Sequence, residues 1–319
     1  MRVPDHKLLG VWIDERGTYM INIEKNMKRV PHMVATVKAE ASAENMGKLA
    51  VQARLKLVNA VVTLSLLYGV ENIPRLTEGE MQKLESMQHK ILTQILEVPN
   101  STPYMGLLME TGMWTMKARI SYRKLMLFHN IKNSEDGRII KQILRVQEEE
   151  VRDTTWYADI LKLIDLYQVT AQVEEVVKST WKKEVKEQIK NKVELEIKEK
   201  CADLRKTRTV REDPHALKQY LQECTPKEAS ELLRTRLHMT KLTCNYGVSS
   251  NQCPLCGYQG KTETEHFFEK CKRTRRLAEI YETKADDIAG TADQMKKAMK
   301  HLKKVEVMME RYVPFINKQ

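Results

Sequence analysis

Four residues near the carboxyl end of the chain have the types and the spacing of a metal-binding site. Cys253 and Cys256 are separated by two residues, His266 follows Cys256 after nine more, and Cys271 follows His266 after four. Three thiolates and one imidazole at these short separations are a ligand set of structural zinc sites. Because no fifth polar ligand or base is obvious beside them, we predict one closed, structural Zn²⁺ site.

The local sequence suits a small module around such an ion. Pro254 and Gly257 fit the tight bend that brings the two thiolates of a Cys-x-x-Cys turn to one ion. His266 and Cys271 fit a short helix, about one and a half turns apart. Two alternatives stay open. Cys244 replaces one of the four ligands, or two buried cysteines lie near an unrelated histidine and cysteine.

Cations and aromatic residues surround the predicted ligands. Basic side chains follow phosphates, and exposed aromatic rings stack on unpaired bases, so this composition indicates a module that binds single-stranded nucleic acid. In the alternative interpretation the two phenylalanines form the core of the module and the cations only keep it soluble. The residues concerned are Tyr258, Phe267, Phe268, Lys270, Lys272, Arg273, Arg275 and Arg276.

Composition predicts a mainly helical, intracellular protein. The 319 residues include only 12 Gly and 9 Pro, 30% are charged, and a net charge of +11 with a pI near 9.2 favours a polyanionic partner. Six cysteines, four of them in the metal pattern, suit a reducing compartment. No signal peptide opens the chain, and its longest apolar run, residues 57–68, is too short to span a bilayer. We therefore expect a nuclear or cytoplasmic protein that is not secreted and does not contact a membrane.

The amino-terminal part reads as a hairpin followed by helices. Residues 7–13 and 18–23 resemble two strands joined by a turn at 14–17, and such a hairpin must pack on something else. Helices are predicted over 21–40 with a break at Pro31, over 44–68, and to about Leu96 from a capping box of Thr77 and Glu80. A further helix, starting at Thr115, carries cations that could contact phosphate or only be solvated. These cations are Arg119, Arg123 and Lys124.

The middle of the chain predicts more helices and a possible self-association surface. Residues 135–168 indicate two helices separated near 153–155, and residues 170–208 one long charged helix. Its apolar stripe either pairs with a second copy as a coiled coil or packs on its own domain. We favour packing on its own domain. The stripe consists of Val173, Val176, Val177, Trp181, Val185, Ile189, Val193 and Ile197. A basic segment at 204–212 is the best linker.

Several motifs follow one another in a specific order along the chain. They are Lys7-Leu8-Leu9-Gly10-Val11, Ser65-Leu66-Leu67-Tyr68-Gly69-Val70-Glu71, the helix from Glu80 to Leu96, Pro103 through Glu110-Thr111-Gly112, and Cys253-Pro254-Leu255-Cys256-Gly257. In these motifs and their order the chain resembles the carboxyl-terminal third of LINE-type, non-LTR retrotransposon reverse transcriptases. The likeness covers residues 5–275, and the zinc motif resembles the one that ends many of those proteins. The resemblance implies the end of a palm at 1–23, a thumb at 24–132, a helical connector at 133–212, and helices carrying a zinc knuckle (244–280) at 213–319.

The catalytic residues of that family have no match here. The family's polymerase uses aspartates of a Tyr-Ala-Asp-Asp loop that lies before the strand with which this chain begins, and Leu8 replaces a tyrosine of that strand. Tyr157-Ala158-Asp159-Ile160 imitates the loop but lies after the thumb-like region and lacks the second carboxylate, and two-metal chemistry needs several. We interpret this stretch as a helix with Asp159 solvated. No catalytic residue and no small-molecule substrate is predicted.

The sequence thus predicts a mainly α protein, with a hairpin, a thumb-like helical domain, a helical connector and a CCHC zinc module. By the resemblance it would bind RNA or DNA as part of an RNA-directed DNA polymerase, without catalysing the reaction on its own. The alternative is a helical interaction or oligomerisation protein derived from a decayed element.

Overall fold

The structure is a computed structural model that describes residues 5–8, 10–14, 19–174, 176–203, 217–240, 242, 253, 255–258 and 265–316. Helices dominate this part of the chain, which confirms the predicted mainly α fold. The predicted linker at 204–212, residues 244–252 with Cys244, Pro254 of the predicted bend, and residues 259–264 lie outside the described residues.

A two-stranded antiparallel hairpin opens the described chain, but its position differs from the prediction. Strands β1 (Asp5–Leu8) and β2 (Val11–Asp14) pair with Leu8 opposite Val11, and helix α1 (Met20–Met27) replaces the predicted second strand. Gly10 has a φ of +89°, which permits a tight turn there. The prediction missed this turn because it assigned Gly10 to a strand interior.

The hairpin packs closely on a helix end, as a two-stranded sheet must. Gly69 has a φ of +79°, and a β-carbon at this position would lie 2.4 Å from a methyl group of Val11. The Tyr19 hydroxyl and the Asn22 amide both donate hydrogen bonds to the Tyr68 carbonyl. A side chain at Gly69 would therefore be strained and would also push the hairpin away.

The helices of the amino-terminal half follow the predicted order. The break near Pro31 lies between α1 and α2 (Val30–Glu40), and the predicted helix over 44–68 consists of several short segments, including a wide π-type turn at Val58–Thr63. These segments are α3 (Ala43–Met46), a 3₁₀ turn (Gly47–Leu49), α4 (Ala50–Leu57), the π-type turn, α5 (Leu64–Leu66) and a second 3₁₀ turn (Val70–Asn72). By length and composition alone, the helical stretch Val30–Leu66 could cross a membrane, a test that core helices of soluble proteins also pass.

Three of the next five helices begin at side-chain caps. Thr77 and Glu80 form the predicted capping box, with the Thr77 amide 2.7 Å from a Glu80 carboxylate oxygen, and Thr115 and Thr155 each accept a hydrogen bond from a backbone N–H three residues on. The helices are α6 (Glu78–Leu96), α7 (Tyr104–Thr111), α8 (Met116–Lys132), α9 (Ile139–Glu149) and α10 (Trp156–Tyr167).

Helix α11 (Lys178–Asp203) is shorter than the predicted helix over 170–208. The preceding residues are held by α8, because Asn133 donates to the Val173 carbonyl and His129 hydrogen-bonds to the Val176 carbonyl. From Trp181 to Ile197 the stripe is buried within the chain, and the Trp181 ring stacks on His129, whereas Val177, which the prediction included, is 70% exposed. We therefore assign this stripe to intramolecular packing rather than to self-association.

The described chain divides into two compact units that do not follow the predicted blocks. Unit 1 comprises residues 1–41, 53–95 and 113–197, and unit 2 comprises 42–52, 96–112 and 198–319. Part of the thumb-like block 24–132 belongs to unit 2 because long-range pairs hold it there. The Glu97 carbonyl, for example, accepts hydrogen bonds from Ser230 and Arg234.

Unit 2 continues with short helices and a long final helix. The sequence Thr225-Pro226-Lys227-Glu228 has the pattern of a capping box with Pro at the first helical position, and the structure confirms this box at the start of α13. The described elements are α12 (Gln219–Glu223), α13 (Pro226–Arg236), a π-type turn (His266–Lys270), α14 (Arg275–Tyr281), a 3₁₀ turn (Ala285–Ala289) and α15 (Ala292–Ile316).

Candidate metal centre and basic surface

The four predicted ligands meet in the structure. One donor atom from each of Cys253, Cys256, His266 and Cys271 lies within 4.8 Å of the others, and the Cys256 Sγ is 3.4 Å from the His266 Nε2. Three of these residues are buried and Cys256 is partly exposed. The four residues are therefore close enough to hold one metal ion, and His266 would bind it through Nε2.

The first pair of ligands is positioned by a tight turn. The Gly257 amide donates to the Cys253 carbonyl and the Cys253 amide donates to the Tyr258 carbonyl, each at 2.8 Å. Gly257 has a φ of +72°, a conformation that favours glycine. This turn brings Cys253 and Cys256 to one point, as the sequence predicted.

The second pair lies on one wide turn rather than on the predicted short helix. The Cys271 amide donates to the His266 carbonyl five residues earlier, at 2.7 Å, and the Thr274 hydroxyl donates to the Phe267 carbonyl. A turn closed at five residues is a π-type turn, a feature common at functional sites. It points His266 and Cys271 to the same side.

Electrostatics prepare this centre for a cation. The hydrogen bond from Cys253 lowers the pKa of the Cys271 thiol to about 4, aided by hydrogen bonds from Thr274 and the backbone N–H groups of residues 273 and 274. The same shared proton, together with burial, raises the pKa of Cys253. Of the two thiols, Cys271 is therefore the one that loses its proton more readily, and the thiolate is the form that binds metals.

A buried apolar cluster packs next to the metal centre. Phe267 and Phe268 are 1% and 2% exposed, in a cluster with residues of α15 such as Leu302. His301 packs edge-on against Phe268, and burial lowers its pKa to about 4, so its ring is neutral and acts as part of this core. Both phenylalanines are thus core residues and are not available for base stacking.

The cations around the last ligand are exposed, unlike the phenylalanines. Tyr258 is 47% exposed and stacks on the His266 ring at 5.0 Å. Arg275 lies 3.7 Å from Glu279 in an exposed pair, which is weak in water. We call the following residues the knuckle surface: Tyr258, Lys270, Lys272, Arg273, Arg275 and Arg276.

The three cations predicted on α8 form hydrogen bonds and ion pairs within unit 1. Arg123 makes two 3.0 Å hydrogen bonds to the Glu71 carboxylate, and Arg119 donates to the Trp114 carbonyl. Lys124 is buried, with its Nζ 2.6 Å from Asp159 and 3.0 Å from the Pro74 carbonyl. Burial removes Lys124 from solvent, which argues against a phosphate contact at that residue. Arg119 and Arg123 stay partly exposed, so their interpretation as phosphate contacts remains a prediction.

Asp159 has a structural partner instead of the solvated position that the sequence suggested. Its side chain is 18% exposed and pairs with Lys124, whose pKa burial lowers and Asp159 raises. Trp156, on the same helix, donates its indole N–H to the Glu71 carbonyl. The Tyr-Ala-Asp-Ile stretch thus fastens α10 to α8.

Replacing Asp159 should destabilise unit 1. The change Asp159→Asn leaves the Lys124 ammonium buried without its counter-charge, and we expect a loss of about 2–4 kcal/mol in the free energy of unfolding. Urea denaturation followed by circular dichroism measures it. Asp165→Asn, an exposed aspartate on the same helix, is the control and should change stability by less than about 0.5 kcal/mol. Equal stability of both variants would contradict a structural role for the Lys124–Asp159 pair.

Sequence reasoning missed a buried ionic cluster in unit 2. Arg236 donates to the Glu110 carboxylate at 2.8 Å, and the Tyr220 hydroxyl donates to its other oxygen at 2.9 Å. Glu110 and Arg236 are 0% and 2% exposed, and burial followed by the Glu110 charge raises the pKa of Tyr220. The only sequence signal was a glutamate within an otherwise apolar helix, Tyr104–Thr111.

Comparisons with known proteins identify no relative of this chain. No protein-family model, no curated protein and no solved structure matches this chain.

Proposed function

We propose that the chain binds single-stranded RNA or DNA through the knuckle surface, and that one structural zinc ion holds this surface in shape. The observation that carries the proposal is the division of side chains around the candidate metal centre. The phenylalanines are buried, while the cations beside Cys271 are exposed.

Zinc is the ion that this donor set fits best. Three thiolates and one imidazole in a four-residue site are typical of structural zinc. Bound zinc would fix the turns at Cys253 and His266, and with them the backbone from which the cations extend. The protein residues then do the binding.

The knuckle surface has the chemistry that a single strand requires. Lys270, Lys272 and Arg273 lie within four positions, so successive phosphates, several ångströms apart along a strand, can each meet a cation. Tyr258 presents a half-exposed ring on which an unpaired base can stack, a contact worth about 1–3 kcal/mol per base. The net charge of +11 adds long-range attraction for a polyanion.

This proposal agrees with what the resemblance to LINE-type reverse transcriptases implies. In such a protein the chain would hold template or primer without catalysing the reaction. Asp159, the aspartate of the polymerase-like stretch, is already paired with Lys124, so we do not assign it a catalytic role.

Fluorescence anisotropy with a short single-stranded RNA tests the proposal. The zinc-loaded chain should bind with an affinity that falls steeply as salt rises, because bound cations release counterions. Replacing Arg273, Arg275 and Arg276 by alanine should weaken binding about tenfold or more at low salt. It should also reduce the slope of log affinity against log salt by about 2, since each single-strand phosphate contact contributes about 0.7.

A charge-matched control separates a local site from general attraction. Lys182, Lys183 and Lys186 are exposed on α11, far from Cys271 in the sequence. Replacing them by alanine also removes three positive charges. This variant should retain most of the affinity and of the salt slope. Equal losses in both triple variants, or no binding of the intact chain at low salt, would refute the knuckle surface as the site.

A further inference from the structure

Helix α9 (Ile139–Glu149) leaves an apolar row in solvent. Leu144 on this helix is buried, whereas Ile139, Ile143 and Val146 are 74, 51 and 62% exposed. The exposed residues recur at separations of four and three, so they form one row along the helix. A row of large aliphatic side chains in water is a feature that binding would cover.

The apolar face continues sideways from this row. Ile140 and Ile143 line a groove of about 240 Å³, whose other walls include Leu127, Ile131 and Trp156. Ile140 is itself 44% exposed. The face is therefore wider than one helical row and can accept side chains from a partner helix.

The charges of α9 are arranged opposite to the preference of an isolated helix. Its first turn holds no acidic residue and its last turn no basic residue, whereas the helix dipole favours the reverse. Arg138, Lys141 and Arg145 belong to the amino-terminal part, and Glu148 and Glu149 to the carboxyl-terminal end. A second copy of the same helix running antiparallel would place each basic half beside an acidic end.

Two of these charges are available for such pairing. Lys141 and Arg145 already pair with Asp136 within the chain. Arg138 and Glu149 are exposed and form no ion pair within the described residues. They are the charges that a partner would neutralise.

The positions of Arg138 and Glu149 fit a two-fold antiparallel pairing. They are eleven positions apart, about three helical turns, so both lie on the same side of the apolar row. Consider two antiparallel copies of α9 related by a two-fold axis that passes beside Ile143. A residue on one flank of the apolar row then lies beside the same flank of the other copy, and a position before Ile143 faces a position after Ile143. Arg138, five positions before Ile143, therefore meets Glu149, six positions after Ile143 in the other copy.

We propose that α9 is a homodimer interface, in which two copies pack antiparallel through the Ile139, Ile143 and Val146 row and form two reciprocal Arg138–Glu149 ion pairs. The inference is independent of the proposed nucleic-acid function. One helix with its groove is smaller than the roughly 800 Å² per partner of a standard interface, so we expect a weak, reversible dimer with a Kd of order micromolar.

Sedimentation velocity at chain concentrations from about 1 to 100 µM, without nucleic acid, tests the interface. The intact chain should shift from monomer to dimer over this range. Ile143→Glu places two carboxylates at the two-fold axis and should raise the dimer Kd at least about tenfold. Ile280→Glu is the matched control, because Ile280 is 63% exposed on α14, and it should leave the Kd unchanged.

A charge exchange identifies the geometry of the pairing. Arg138→Glu and Glu149→Arg should each raise the dimer Kd about tenfold, since each creates two like-charge contacts, and the double variant should restore the original Kd. Arg138→Glu also places an acid at the amino end of the helix, which favours the helix itself, so we expect its circular dichroism and melting temperature to match those of the intact chain while its dimer is weaker. A monomer at every concentration, an unaffected Ile143→Glu dimer, or a double variant no better than the single ones would overturn the proposal.

Discussion

Removing the metal from the Cys253, Cys256, His266 and Cys271 centre is expected to unfold the small cluster built around it. Structural zinc contributes on the order of 10 kcal/mol to modules of this kind. Without the ion, His266 and Cys271 no longer hold the turn that places Phe267 and Phe268 in their core. Hydrogen–deuterium exchange after chelation should show lost protection at residues 265–281, while α6 and α8 of unit 1 remain protected.

Two separate cysteine-to-serine variants, one at a predicted ligand and one outside the centre, give the matched comparison for the metal experiment. Cys256→Ser should reduce the zinc content, measured by atomic emission, from one ion per chain to a small fraction, and should reproduce the exchange pattern of the chelated chain. Cys224→Ser removes a buried thiol that is outside the four-residue cluster, and it should retain the ion. Full metal content in Cys256→Ser would show that Cys256 is not a ligand and would favour Cys244 as its replacement.

Breaking the Glu110–Arg236 pair is expected to cause the second-largest effect. Arg236→Ala leaves the Glu110 carboxylate uncompensated at 0% exposure, and removing one partner of such a pair costs about 3–5 kcal/mol. The Tyr220 hydroxyl still donates to that carboxylate, which offsets a small part of the loss. We expect unit 2 to melt several degrees lower by circular dichroism or calorimetry.

The double variant tells whether charge or packing causes this loss. Glu110→Gln with Arg236→Met removes both charges while keeping similar side-chain volumes, and it should recover much of the stability lost in Arg236→Ala. Arg234→Ala, two positions earlier on α13, loses a hydrogen bond to the Glu97 carbonyl but leaves no buried charge, so it should cost only about 1 kcal/mol. Equal losses in the Arg236 and Arg234 variants would contradict the importance of the buried pair.

The sequence predicted those features that depend on near neighbours. The capping boxes at Thr77 and Thr225 join residues three positions apart, and the four candidate ligands lie within 19 positions, so both could be recognised from spacing alone. The burial of Phe267 and Phe268 agrees with the alternative interpretation, in which a small module needs them as its core. These predictions are confirmed by the hydrogen bonds and by the position of the cluster.

The sequence failed where a side chain has a distant partner. Lys124 and Asp159 are 35 positions apart, and Glu110 and Arg236 are 126 apart, so no local pattern links them. From the sequence, Lys124 was interpreted as a phosphate contact or a solvated cation and Asp159 as a solvated carboxylate, and no pattern indicated that Glu110 and Arg236 pair. The start of α11 was missed for the same reason, because α8 binds the backbone carbonyls of Val173 and Val176.

The segments of the two units alternate along the sequence, and this order affects how the chain folds during synthesis and which fragments of it can fold. Unit 2 contains residues 42–52 and 96–112 as well as the carboxyl-terminal part, so Glu110 leaves the ribosome long before Arg236, its partner. Contacts between residues so far apart in sequence slow folding, because a long loop must close before the contact forms. A fragment that starts at residue 198 would contain the candidate metal centre but would lack Glu110. Arg236 would then have to be buried without its carboxylate, and we expect such a fragment to be less soluble than the full chain.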